Sequence, residues 1–284
     1  MAPGNRESCG EGYTETPEGP GREPGAIALA RGHLYRFFSV ALGYPDGDFA
    51  ALWRREAYGE DLANCARLLS QPRNAGGTVR EPRPLVEALE AMFANLDVAP
   101  LGDLQAEYRD IFGHTMGLEC AAYETLYGSE DIFQEVQALA DIAGWYRAFG
   151  LMVAPEAKER VDHIGVELEF MYVLAYKEAY ALERDAMDRA QLCVEAEAKF
   201  LQEHLGRWGP LFARLLGKGA HDGFYRGLAQ GLDAFLGMEL ARFEIDPLPL
   251  MQPQPAPLPR GAEPACDECP LLAEESREGM EGSL

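Results

Sequence analysis

Residues 162–175 read Asp-His-Ile-Gly-Val-Glu-Leu-Glu-Phe-Met-Tyr-Val-Leu-Ala, and this stretch decides the fold class. Ile164, Leu168, Met171 and Ala175 recur at three- and four-residue steps. That period puts apolar side chains on one face of a helix. Asp162 stands just ahead of the face. Its carboxylate can cap a free N–H two or three residues on, so Asp162 is expected to open the helix.

The same rhythm returns on both sides. Ile27, Ala30, Leu34, Phe37 and Ala41 form one stripe, ended by Gly43-Tyr44-Pro45. Helical patterns follow at about 48–69, 84–95 and 101–112, with a Pro-, Gly- and Arg-rich loop over 70–84. Ser129 reads as the N-cap of the next helix, with Glu130 and Asp131 in its first turn. Its buried stripe is expected at Ile132, Val136, Leu139, Ala143 and Tyr146, up to Phe149-Gly150. Further helices are expected at 186–205, 210–216 and 222–243, the last with Phe224, Leu228, Leu232 and Phe235 inward. Nothing alternates with a period of two, and nothing repeats. The expected fold is all-α: one bundle-like domain of about nine helices over 25–245, with a hinge near 113–128 or 150–161. Residues 1–24 and the Pro-rich 246–284 read as a disordered lead and tail.

The 284 residues are 47% hydrophobic and 10% aromatic, enough for a real core. The formal net charge is -22. Such a surface repels nucleic acid and anionic lipid and attracts cations. Residues 1–24 have no apolar stretch of the signal-peptide kind. No apolar run reaches the roughly 20 residues that span a bilayer. The expectation is a cytoplasmic protein with no nucleic-acid partner and no stable membrane insertion.

The commonest catalytic signatures are missing. Gly217-Lys218 is followed by Gly219, so there is no phosphate-binding loop. No H-E-x-x-H, G-x-G-x-x-G or G-x-S-x-G occurs. None of the five histidines has Glu three residues before it, as helical di-iron sites require. Cys266-x-x-Cys269 has a metal-like spacing but lacks a second pair, so free thiols are expected and no metal. His114 with Cys120 is read as a loop pair, not a metal site. Cys65 and Cys193 sit in helical patterns and are expected to be small buried residues. No cofactor is expected.

Two segments break the pattern. Cys120-Ala-Ala-Tyr-Glu-Thr-Leu-Tyr127 occupies the central loop. Glu159-Arg-Val-Asp-His-Ile-Gly-Val-Glu-Leu-Glu-Phe-Met171 spans a linker-to-helix junction. Spacing alone allows plain structural roles: loop anchors for Tyr123 and Tyr127, a cap for Asp162 and solvated carboxylates for Glu167 and Glu169. Together the two segments resemble the TorD/DmsD/NarJ-type family of molybdoenzyme chaperones. The flanks agree: Leu34-Tyr35-Arg36, Tyr44-Pro45, Tyr108-x-x-Ile111-Phe112-Gly113 and His204-Leu205-x-x-Trp208. The resemblance covers about residues 25–245. Two departures loosen backbone that the family keeps stiff: Arg160 replaces a proline before the Asp-His pair, and Ala121 and Ala122 replace prolines before the aromatic. Cys120 looks like the branch serving nitrate-, selenate- or hydrocarbon-oxidising enzymes.

The resemblance implies a binding protein without catalytic activity. Its client would be the immature catalytic subunit of a molybdopterin-dependent oxidoreductase, that subunit's twin-arginine leader, or both. Tyr123, Glu124, Tyr127, Asp162, His163 and Glu167 would line one client groove, with the acids facing arginines and the tyrosines packing on an apolar stretch. Two other readings stand beside it: an acid–base enzyme using His163 with Asp162 or Glu167, and a helical adaptor docking partners through its Pro-rich tail. A homodimer formed by exchange of halves is also open.

Overall fold

The computed structural model describes residues 24–47, 51, 56–70, 83–113, 120–128, 132–154 and 159–251. The lead, the loop residues 71–82, the Ser129 cap, His114, and the tail with Cys266 and Cys269 lie outside the described residues. Nine α-helices and no strand occur among the described residues, so the all-α expectation holds. They are α1 (Pro24–Ala41), α2 (Glu56–Leu69), α3 (Arg83–Val98), α4 (Leu101–Phe112), α5 (Ile132–Ala148), α6 (Ile164–Leu182), α7 (Met187–Glu203), α8 (Leu205–Gly219) and α9 (Phe224–Arg242). One turn of 3-10 helix, Glu124–Leu126, lies in the central loop. No helix among the described residues is long and apolar enough to cross a membrane.

The helices neighbour one another in a closed circuit. α1 lies along α6 and packs on α2, α2 packs on α3, and α3 packs on α9. From α9 the circuit returns through α8 and α7 to α6. Leu34, Phe37, Phe38, Leu168, Trp208, Phe212 and Phe235 are fully buried within it. Each such side chain contributes about 1.5–3 kcal/mol by leaving water. The stripes read from α1, α6 and α9 all face inward, with Ile27 half-buried at the end of its row.

Three local expectations need correction. Val136, expected in the buried stripe of α5, is 60% exposed; Tyr146 is buried as expected, Leu139 and Ala143 are half-buried, and Ile142, outside the expected stripe, is fully buried. α8 begins at Leu205 and carries Pro210 inside it. A proline this near the N-terminus forfeits only one early intrahelical bond, so the helix continues through it. Finally, Asp162 does not cap α6. His163 is the N-cap, and its Nδ1 accepts the N–H of Gly165 at 3.1 Å.

Beneath α1 lies a charged cluster that helical periodicity does not show. Arg31 is fully buried. Its Nε donates to both oxygens of Glu239, at 2.9 and 2.8 Å. Nη1 donates to Glu178 at 2.7 Å and Nη2 to Glu197. The Tyr35 hydroxyl donates to Glu239 at 2.8 Å. One guanidinium thus ties α1 to α6, α7 and α9. Three carboxyls face one cation, and burial, only partly offset by Arg31, pushes Glu197 up to about 8. Glu197 therefore holds a proton at neutral pH, which lowers the uncompensated buried charge.

Candidate client-binding site

The two motifs meet at the start of α6. An isolated antiparallel bridge pairs Tyr123 with His163. The Glu124 N–H donates to the Asp162 carbonyl at 3.0 Å, and the Ile164 N–H to the Ala122 carbonyl at 2.9 Å. These bonds dock the central loop directly on the helix start.

Asp162 holds that joint. Its Oδ2 accepts the Thr125 N–H at 3.2 Å and the Thr125 hydroxyl at 2.7 Å. Arg160 closes the other side, with Nε 3.0 Å from Oδ1 and Nη2 3.0 Å from Oδ2. The same Nη2 lies 2.7 Å from Thr125 Oγ1 and 3.1 Å from Glu135 on α5. The Arg160 guanidinium also sits 5.0 Å above the Tyr123 ring. Arg160 stands where the family pattern has proline, so side-chain bonds take over a restraint that a ring would supply.

A second buried layer lies below. His204, at the α7–α8 junction, places Nδ1 3.2 Å from each oxygen of Glu124. Its Nε2 lies 3.3 Å from Asp141 of α5. The Trp208 indole N–H donates to Glu167 at 3.1 Å. Burial first, and then the nearby Glu124 carboxylate, hold Glu167 well above the usual carboxyl range. The same burial and the same neighbour favour the protonated form of Glu167. The Tyr127 hydroxyl donates to the Ala121 carbonyl at 2.7 Å, and its ring packs 5.2 Å from Trp208. Burial pushes the Cys120 thiol up to about 12, so it stays protonated. Among the described residues no three His, Cys, Asp or Glu side chains are grouped to hold a metal.

All six residues singled out in the sequence are thus brought together, but at different depths. Asp162 and Glu167 are 0% exposed, Tyr127 is 1% and Glu124 is 4% exposed. Tyr123 and His163 form the outer edge, with ring centres 5.3 Å apart. His163 lines a groove of about 450 Å³ where α1 ends and α6 begins. Met152, Val153 and Val173 give the groove apolar wall, and Glu159 and Glu169 give it acid. Burial lowers the His163 pKa, and Nδ1 is already an acceptor, so the neutral ring carries its hydrogen on Nε2. Glu135, Asp141 and the lining residues 151–154 are not legible in the sequence, since no spacing pattern links them to the motifs, and Thr125 is visible only as a member of the first motif. His204 and Trp208 were visible only as motif flanks.

Residues 80–214, which contain both motifs, match the family described as nitrate reductase delta subunit. The perchlorate reductase assembly chaperone protein of Dechloromonas aromatica (strain RCB) is 27% identical over 196 residues, covering 65% of this chain and 76% of the relative. The chaperone protein TorD of Vibrio cholerae serotype O1 (strain M66-2) is 28% identical over 159 residues, covering 55% of this chain and 69% of the relative. TorD of Aliivibrio fischeri (strain ATCC 700601 / ES114) is 24% identical over 156 residues, 55% of this chain and 70% of that protein. These relatives are named chaperones, and the described residues of this chain are all-helical. These matches support the TorD/NarJ-type chaperone family that the chain's motifs resemble.

Proposed function

We propose that the chain is a cytoplasmic chaperone for the catalytic subunit of a molybdopterin-dependent oxidoreductase. It would hold that subunit before cofactor insertion, and it would retain the twin-arginine leader until folding is complete. The observation that carries this reading is the groove beside His163, apolar along one wall and acidic at Glu159 and Glu169. A twin-arginine leader brings guanidinium groups and an apolar stretch, which suits such a lining. The net charge of -22 favours a cationic client over an anionic one.

In this reading His163 and Tyr123 touch the client, with Met152, Val173, Glu159 and Glu169 beside them. Asp162, Glu124, Glu167 and Tyr127 act from beneath by holding the loop. A catalytic role for His163 draws little support from the geometry. Asp162 spends its carboxylate on Thr125 and Arg160, and Glu167 accepts from Trp208. We therefore read the chain as a binding protein.

Titration of a twin-arginine leader peptide from a molybdoenzyme tests this. His163→Ala and Met152→Gln should each weaken binding about tenfold, equivalent to about 1.4 kcal/mol. Met152 is 81% exposed, so its substitution leaves the core alone. Replacing the two leader arginines with glutamine should cost a similar amount, and added salt should weaken binding by screening. Wild-type affinity in both protein variants, with helical content intact, would remove the groove as the client site.

A further inference from the structure

After α9, residues 245–251 form a strap without helix or strand. The Ile245 N–H donates to the Leu240 carbonyl at 2.9 Å, and two further hydrogen bonds join the strap to Arg207 in the first turn of α8. The Leu250 N–H donates to the Arg207 carbonyl at 2.9 Å. Arg207 Nε donates to the Leu248 carbonyl at 3.1 Å. The Leu250 side chain lies over Gly128, the residue that follows the motif tyrosine. A Cβ on Gly128 would stand 3.3 Å from Leu250 Cδ2. Gly128 also has φ +77°, so a residue with a side chain there would be strained as well as crowded. At its other end the strap places Ile245 against a groove of about 590 Å³, lined by Trp145, Phe149 and Leu192.

In an extended chain, the carbonyl of one residue and the N–H two residues on point to the same side. Arg207 reads that pair, accepting with its main chain and donating with its side chain. Pro249, between the two, has no N–H to satisfy. The recognition is of main chain, with side-chain preference only where Leu250 meets Gly128 and Ile245 meets the groove. Leu248 and Met251 are 78% and 62% exposed, so the strap is held by few contacts and can be exchanged.

We propose that Arg207, Gly128 and the Trp145 groove form a binding site for an extended apolar peptide, and that the chain's own strap occupies it until a partner's segment displaces it. The partner chemistry is an extended segment with apolar residues five apart, as in Ile245 and Leu250. That a client supplies it rests on the chaperone reading above. The surface itself does not, and the test uses no client.

The probe is a fluorescent peptide with the sequence of residues 244–252, titrated into the full-length chain. Leu250→Asp should release the strap and bind the peptide at least tenfold more tightly than wild type. Adding Arg207→Met should return binding to the wild-type level. Pro249→Gly loosens the strap by raising its unbound entropy and alters no core residue, so it decides the matter if Leu250→Asp does not fold. It should bind about threefold more tightly than wild type. If neither variant, folded by circular dichroism, binds the peptide more tightly than wild type, the strap is not a stand-in for a ligand and the proposal falls.

Discussion

The carboxylate of Asp162 holds Thr125 twice, through its N–H at 3.2 Å and its hydroxyl at 2.7 Å, across 37 residues of chain. This pair joins the central loop to α6. Asp162→Ala leaves a buried N–H and the Arg160 guanidinium without their acceptor. The expected cost is about 2–4 kcal/mol, read as a lower denaturation midpoint. Thr125→Val removes one hydroxyl and should cost about 1 kcal/mol. A double-mutant cycle should show coupling, since the two side chains share one bond.

His163 predicts a pH response. Burial lowers its pKa in the folded state, so the unfolded chain takes up its proton first as the pH falls. Stability is therefore full above the unfolded value of about 6.5 and declines below it, until the folded group titrates too. His163→Gln should flatten that decline. It should also remove the Nδ1 cap at a cost of about 1 kcal/mol near pH 8. Chemical denaturation of both proteins from pH 5 to pH 8 measures both effects.

Glu167 has the opposite sign. Its carboxyl is raised, so the folded chain keeps a proton that the unfolded chain releases above about 4.3. Its contribution is full below that pH and is lost as the pH rises toward the folded value. Glu167→Gln keeps an acceptor for Trp208 without titrating. The variant should be more stable than wild type at pH 7, and the difference should vanish near pH 4. Glu167→Ala, which leaves the Trp208 N–H unpaired, should be destabilised at both.

The Arg31 cluster predicts a strong asymmetry. Arg31→Met removes the cation that bonds Glu178, Glu197 and Glu239. A loss of about 3–5 kcal/mol is expected, because buried carboxyls are left uncompensated. Glu197→Gln should be tolerated at pH 7, since Glu197, pushed up to about 8, already carries a proton there. Thermal melts at pH 7 would separate the two variants.

The helices were legible where one face is buried along its whole length. Ile164, Leu168, Met171 and Ala175 announced α6, and Phe224, Leu228, Leu232 and Phe235 announced α9. On α5 the expected stripe holds at Tyr146 and fails at Val136. The helix is apolar on more than one side, with Val136 and Phe133 exposed and Ile142 buried, so periodicity alone does not fix the buried face. The six motif residues were legible as a group through the family resemblance, but not in depth, because burial depends on what packs above them.

The sequence by itself determined the helical class and the inward faces of α1, α6 and α9. Those properties follow from the three- and four-residue spacing of side chains on a helix. That the two motifs belong together followed from the family resemblance, not from their spacing. Tertiary structure alone decided that His163 caps α6 while Asp162 turns away to Thr125. It also decided that Arg31 gathers three glutamates, the farthest 208 residues away, and that Leu250 lies on Gly128. Each of these joins residues that no local period relates. Such contacts exist only once the helix circuit has closed and buried polar groups have found partners across it.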